Sequence, residues 1–267
     1  MSPPEDPSPP TKDLTLKSDP VFHALRSLMD RGGSLFGALG IFLVGGIVVA
    51  GIGTWIFSEI AETVMAGRTQ AFDEAVLRWI YARHTPLMDG VMLEVTSLGT
   101  GTVVMMIVGV AALFLTLTRH KYSARLLLVA TAGGLALDML LKMRIGRPRP
   151  HVFTWVTQAV GSSFPSGHAM SATIVYATVA YLAARLQKRR WARWLTMLFF
   201  AFVIVVICFS RLYLGVHYPS DVLAGVVIGL SWAAFCMATL EAIQRYAQRD
   251  DPQVAKDEAP APKLEKA

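Results

Sequence analysis

The chain has 267 residues and a formal charge of +6; 54% of its residues are hydrophobic and only 16% are charged. Soluble proteins carry roughly 25% charged residues, so this composition, with a mean hydropathy of +0.47, points to an integral membrane protein and excludes a disordered chain. The two cysteines, Cys208 and Cys236, exclude a disulfide scaffold or a multi-cysteine zinc module, and both sit in apolar runs where a free thiol acts as a small buried hydrophobe.

Residues 1–34 open with Pro3, Pro4, Pro7, Pro9 and Pro10 and are predicted to form a disordered cytoplasmic tail. Six apolar stretches follow, at 35–57, 101–117, 123–141, 168–184, 194–209 and 222–243, each read as a membrane span. The first is long and Gly-rich with no small-residue cleavage pattern after it, so it reads as an uncleaved anchor. Between the first two spans, Phe72, Ala75, Val76, Trp79 and Ile80 recur at helical spacing, with Asp73, Glu74 and Arg78 opposite. They predict a short amphipathic helix, either flat in the outer interface or packed on the bundle, that carries no catalytic group. Residues 246–267 mix Lys, Glu, Ala and Pro without periodicity and read as a second cytoplasmic tail. The expected fold is all-α: a polytopic membrane bundle over 35–245 with six transmembrane helices and one short interfacial helix.

Basic residues set the orientation. Arg119, Lys121 and Arg125 follow the second span, and Arg185, Lys188, Arg189, Arg190 and Arg193 follow the fourth. Both loops are therefore expected in the cytoplasm, with both termini on the same side of the cell (inner) membrane. These loops account for much of the positive charge, so no nucleic-acid partner is implied. Lys142, Arg144, Arg147, Arg149 and Arg211 break the rule, because they fall on the predicted periplasmic or exterior side. A charge at a span end needs a reason, and an anionic ligand supplies one.

Three clusters share that outer side: 142–150 (Lys-Met-Arg-Ile-Gly-Arg-Pro-Arg-Pro), 164–168 (Phe-Pro-Ser-Gly-His), and Ser210-Arg211 with His217 and Asp221 downstream. Two spans end and two begin at this face, so four helix termini can surround one pocket. Helix N-termini present unpaired N–H groups suited to phosphate, and Pro219 fits the first turn of the sixth span. Phosphate-ester hydrolysis needs cations on the phosphoryl oxygens, a nucleophile, and a proton for the leaving oxygen. Lys142, Arg149 and Arg211 supply the cations. His217, four residues before Asp221, can be held in one tautomer by that carboxylate and attack phosphorus, leaving His168 as the acid.

The pattern of Lys142, six residues, Arg149-Pro150, then Pro165-Ser166-Gly167-His168, then Ser210-Arg211, five residues, His217, three residues, Asp221 resembles the type 2 phosphatidic acid phosphatase superfamily. The likeness runs from about residue 98 to 234, with six spans as in its bacterial integral-membrane branch. It implies a phosphohistidine on His217 oriented by Asp221, His168 as general acid, and phosphoryl oxygens bound by Lys142, Arg149, Arg211, Ser166 and Gly167, without metal or other cofactor. Arg144 and Arg147 are not required by the motif and read as interfacial arginines, the alternative being contact with a second phosphate or an anionic headgroup. Asp138 lies one helical turn before Lys142, a spacing at which it can pair with and orient the ammonium.

The resemblance implies a membrane phosphatase acting on a lipid phosphate or diphosphate, with undecaprenyl diphosphate, phosphatidic acid and phosphatidylglycerol phosphate as candidate substrates. A lipid phosphotransferase on the same scaffold and a non-catalytic lipid-phosphate binding or transport protein are the alternatives. The soluble vanadate-dependent haloperoxidases of the same superfamily are disfavoured by the spans. Oligomeric state is not legible.

Overall fold

The computed structural model describes residues 20–250, with side chains over 40–245. Among these residues there are eight helices and no strand: α1 (Pro20–Met65), α2 (Gln70–Tyr81), α3 (Pro86–Ser97), α4 (Gly101–Leu117), α5 (Lys121–Arg144), α6 (Gly167–Arg185), α7 (Arg190–Tyr213) and α8 (Pro219–Asp250). Helix α6 packs against α4, α5, α7 and α8, and α1 lies along α8; α2 and α3 rest on the same end of α7, with α2 also touching α8.

Four helices are long and apolar enough to cross a membrane: Gly40–Met65, Lys121–Arg144, Arg190–Tyr213 and Pro219–Arg245. Helices α3 and α4, bent by 47° at a short break, make a fifth crossing if the pair is one span. The fourth expected span, 168–184, is helical as α6 but does not reach the same apolarity. The reason is its position. Ala169, Met170, Ala172, Thr173, Ile174 and Val175 are buried against other helices, so α6 needs small and hydroxylated residues for packing rather than a lipid-facing surface. The lipid-facing role falls to helices such as α7, whose Leu195, Leu198, Phe202 and Val205 are exposed and would be a liability in water.

The first and last helices extend into the segments read as tails, 1–34 and 246–267. Helix α1 begins at Pro20, because proline fits a first helical turn and no other proline follows before Pro86. Helix α8 likewise continues to Asp250. Residues 1–19 and 251–267 lie outside the described residues.

The segment between the first two expected spans is helical as α2, but its buried face differs from the predicted stripe. Asp73, Leu77 and Ile80 are buried, while Phe72 and Trp79 are exposed. A tertiary ion pair draws Asp73 inward, which a count of apolar residues does not register. Residues 145–166 cross this end of the bundle between α5 and α6. Phe153 stacks on Tyr81 with ring centroids 4.3 Å apart and meets His84 edge-on at 5.4 Å. His84 in turn stacks on Tyr213 at 3.9 Å, so aromatic contacts tie this loop to α2 and α7.

Candidate active site

The first two sequence clusters are held side by side by their own backbone. Ser163 donates its N–H to the Arg147 carbonyl at 2.9 Å, Ser163 Oγ donates to the Pro148 carbonyl at 3.0 Å, and Ser162 Oγ donates to the Ile145 carbonyl at 2.6 Å. Arg149 then joins this loop to the one after α7. Its Nε donates to the Gly161 carbonyl at 3.1 Å, Nη2 to Val160 at 3.0 Å and Nη1 to Val216 at 2.8 Å. Nη1 also lies 3.4 Å from His217 Nε2. Burial draws the guanidinium below its ordinary value while Asp221 opposes the shift; it remains a cation at neutral pH.

His217 is buried in the loop between α7 and α8. Its Nδ1 is 2.8 Å from the Ser163 carbonyl oxygen and 3.6 Å from Asp221 Oδ2. Both neighbours are acceptors, which assigns the ring proton to Nδ1 and leaves the Nε2 lone pair facing Arg149. The shorter contact is the carbonyl, not the carboxylate expected from spacing. Asp221 is occupied elsewhere: Oδ1 accepts from Arg147 at 2.6 Å and Oδ2 from the Tyr218 N–H at 2.9 Å, so it acts on the imidazole chiefly as a nearby charge.

Burial holds the His217 imidazole below its usual 6.5, to about 4; Asp221 pulls upward, and Arg211 and Arg149 reinforce the depression. The unfolded chain therefore takes up this proton near pH 6.5 and the folded chain only near 4. The stability this group contributes is intact above 6.5 and falls by about 3 kcal/mol as the pH drops through that window. Thermal unfolding in detergent should show a steeper loss of melting temperature between pH 6.5 and 4 for the wild type than for His217→Gln. Parallel profiles would remove the assignment.

Lys142 Nζ donates to Asp138 Oδ2 at 2.8 Å across one turn of α5, the pair expected from their spacing. Gly167 backs onto it. A Cβ at this position would lie 2.6 Å from Lys142 Nζ and 3.0 Å from Asp138 Oδ2, so only glycine leaves the ammonium its place. Ser166 caps α6 with its hydroxyl accepting from the Ala169 N–H, and its own N–H donates to the Asp221 carbonyl at 3.0 Å. The following N–H groups, of Gly167 and His168, open the helix where no intrahelical acceptor exists.

Arg211 is buried near the end of α7. Its Nη1 donates to Thr96 Oγ1 at 2.6 Å, and its Nε is buried without a protein partner, a donor open to a ligand. His168, in the first turn of α6, lies within electrostatic reach of Arg211, His217, Lys142 and Arg149. Two histidines and three cations from all three sequence clusters thus surround one site, a composition suited to a multiply charged anion.

Comparison with known proteins accords with this geometry. Residues 123–245, from the start of α5 through α8, match the PAP2 superfamily. Over this segment the chain is similar to the PAP2 superfamily. It is similar to phosphatidylglycerophosphatase B of Bacillus subtilis, at 28% identity over 194 residues that cover 72% of this chain and 95% of the relative. It is also similar to the undecaprenyl-diphosphatase of Sulfolobus acidocaldarius, at 26% identity over 191 residues covering 70% of this chain and 86% of that one. Among solved structures, a transmembrane PAP2-type phosphatidylglycerolphosphate phosphatase from Bacillus subtilis superimposes with a TM-score of 0.66 at 26% identity, covering 70% of this chain and 94% of that chain.

At this site, sequence reasoning missed four contributors and misplaced one. Asp73, Thr96 and Ser163 enter through tertiary contacts, and no local pattern marks them. Gly99, in the break between α3 and α4, lies against the His168 ring, since a Cβ there would be 3.1 Å from His168 Cδ2; the sequence Leu98-Gly99-Thr100-Gly101 signals a break but not its neighbour. Arg147, expected at the lipid interface, is instead buried between Asp73 and Asp221 at 2.9 and 2.6 Å. Arg144 is exposed, as an interfacial arginine should be.

Proposed function

We propose that this protein is a membrane-embedded phosphatase that hydrolyses a lipid phosphate or diphosphate through a phosphohistidine on His217. The observation that carries the proposal is the buried His217 ring, with its Nδ1 proton directed at the Ser163 carbonyl 2.8 Å away and its Nε2 3.4 Å from Arg149. A phosphoryl group bound by Lys142, Arg149, Arg211 and the N–H groups opening α6 brings phosphorus to that nitrogen. Nε2 attacks; the N–P bond forms as the bond to the leaving oxygen breaks, and that oxygen takes a proton from His168. Water then attacks the phosphohistidine while His168 recovers a proton from it, and inorganic phosphate leaves.

The lipid substrate class follows from two features. The exposed apolar surface of α1, α4 and α7 belongs in a bilayer, and the similar proteins are named for phosphatidylglycerophosphate and undecaprenyl diphosphate. The basic residues between α4 and α5 and between α6 and α7 favour a cytoplasmic location for those connections, which leaves the site facing the periplasm or exterior with both termini inside. The outward cations have other partners: Lys142 pairs with Asp138, Arg147 with two carboxylates and Arg149 with the carbonyls of Val160, Gly161, Ser162 and Val216.

The test is phosphate release in detergent from undecaprenyl diphosphate, phosphatidic acid and phosphatidylglycerol phosphate, with and without chelator. Release from at least one, surviving chelation, is the expected result; transfer of the phosphate to an acceptor lipid without release would favour the phosphotransferase. On the best substrate, Asp138→Asn should lower kcat/KM about tenfold with normal expression, because Lys142 loses its charged partner. Unchanged kinetics would remove Asp138 from the site.

A further inference from the structure

We infer that Asp73 is a positioning residue for phosphoryl transfer, acting on His217 through Arg147 and Asp221; this rests on the phosphohistidine reading above. Asp73 sits on α2, outside the three sequence clusters, yet it is fully buried while its neighbour Phe72 is 66% exposed. Its Oδ1 accepts from the Ser220 N–H at 3.1 Å, and Oδ2 accepts from Ser220 Oγ at 2.6 Å and Arg147 Nη2 at 2.9 Å. Arg147 Nη1 donates to Asp221 Oδ1 at 2.6 Å and Ser220 Oγ at 2.8 Å, and the guanidinium lies 4.0 Å over the Tyr218 ring. Asp221 Oδ2 is 3.6 Å from His217 Nδ1. A continuous buried chain therefore links α2 to the nucleophile.

Its charge sum gives the chain a purpose. Two carboxylates and one guanidinium leave one negative charge beside the imidazole. When Nε2 bonds to phosphorus and keeps its Nδ1 proton, the ring becomes cationic, and that surplus charge stabilises it in a site with little water. Without the Asp73 charge, Arg147 and Asp221 cancel and the cationic ring faces a neutral pair. Asp73 touches none of Lys142, Arg149 or Arg211, so its loss should slow the chemical step and leave phosphate binding alone.

The experiment uses the full chain in detergent on the lipid phosphate that the wild type cleaves fastest, with inorganic phosphate as a competitive inhibitor. Asp73→Asn should lower kcat 10- to 100-fold with KM and the phosphate inhibition constant within about twofold. The double variant Asp73→Asn with Arg147→Gln restores the net charge of minus one and should recover at least about fivefold over Asp73→Asn. A merely structural role predicts additive losses instead. Unchanged kcat in Asp73→Asn, a rise in KM and inhibition constant matching the fall in kcat, or no recovery in the double variant each overturns the inference. If Asp73→Asn does not fold, the double variant decides: kcat within about tenfold of wild type supports the inference, and a larger loss overturns it. Wild-type activity that survives His217→Gln overturns the parent reading and this inference with it.

Discussion

Glutamine in place of His217 should lower phosphate release by roughly 10,000-fold or more, the scale expected when the nucleophile of a covalent mechanism is removed. Glutamine is close to histidine in size and its amide N–H can still donate to the Ser163 carbonyl, which accepts from Nδ1 at 2.8 Å in the wild type. The loss is therefore of the nucleophilic nitrogen and not of the loop. Wild-type protein quenched during turnover with radiolabelled substrate should carry a label that acid removes and alkali spares, as expected of a phosphorus–nitrogen bond; the variant should carry none. Release within tenfold of wild type, or a label that persists in the variant, would rule out His217 as the nucleophile.

The second large effect belongs to Arg149→Lys, expected to cost roughly 100- to 1,000-fold in kcat/KM despite the conserved charge. The guanidinium donates to Gly161, Val160 and Val216 while placing Nη1 3.4 Å from His217 Nε2. An ammonium has no planar fork, so it cannot hold both loops and present a donor beside His217 at once. Arg144→Gln is the control. That side chain is exposed, and its replacement should leave kcat/KM within about twofold. Equal losses in the two variants would mean that Arg149 contributes general positive potential and not geometry.

The parts of the site legible in the sequence are those carried by short local patterns at helix ends. Lys142 and Asp138 share a face of α5 because they are one turn apart, and they pair at 2.8 Å. Ser166 opens α6, and Pro219 begins α8. The grouping of Lys142, Arg149, His168, Arg211 and His217 followed from which helices begin and end on one face. Asp73 was illegible for the opposite reason. Its partners Arg147 and Ser220 lie 74 and 147 positions away, and helical periodicity places an aspartate on the polar face by default. The same default assigned Arg147 to the lipid interface.

Sequence alone therefore determined the residue types and their neighbourhood: an all-helical membrane chain, two histidines and three cations at one end, and motifs that resemble the PAP2 superfamily. These properties depend on residue type, hydropathy and spacing, which act within one or two helical turns. Tertiary structure alone decided how His217 is held. It placed the Ser163 carbonyl against His217 Nδ1, buried α6 at the centre of the bundle, and set Arg147 between Asp73 and Asp221. Each depends on removing polar groups from solvent at once from distant segments, where a buried donor must find whatever acceptor the fold brings to it.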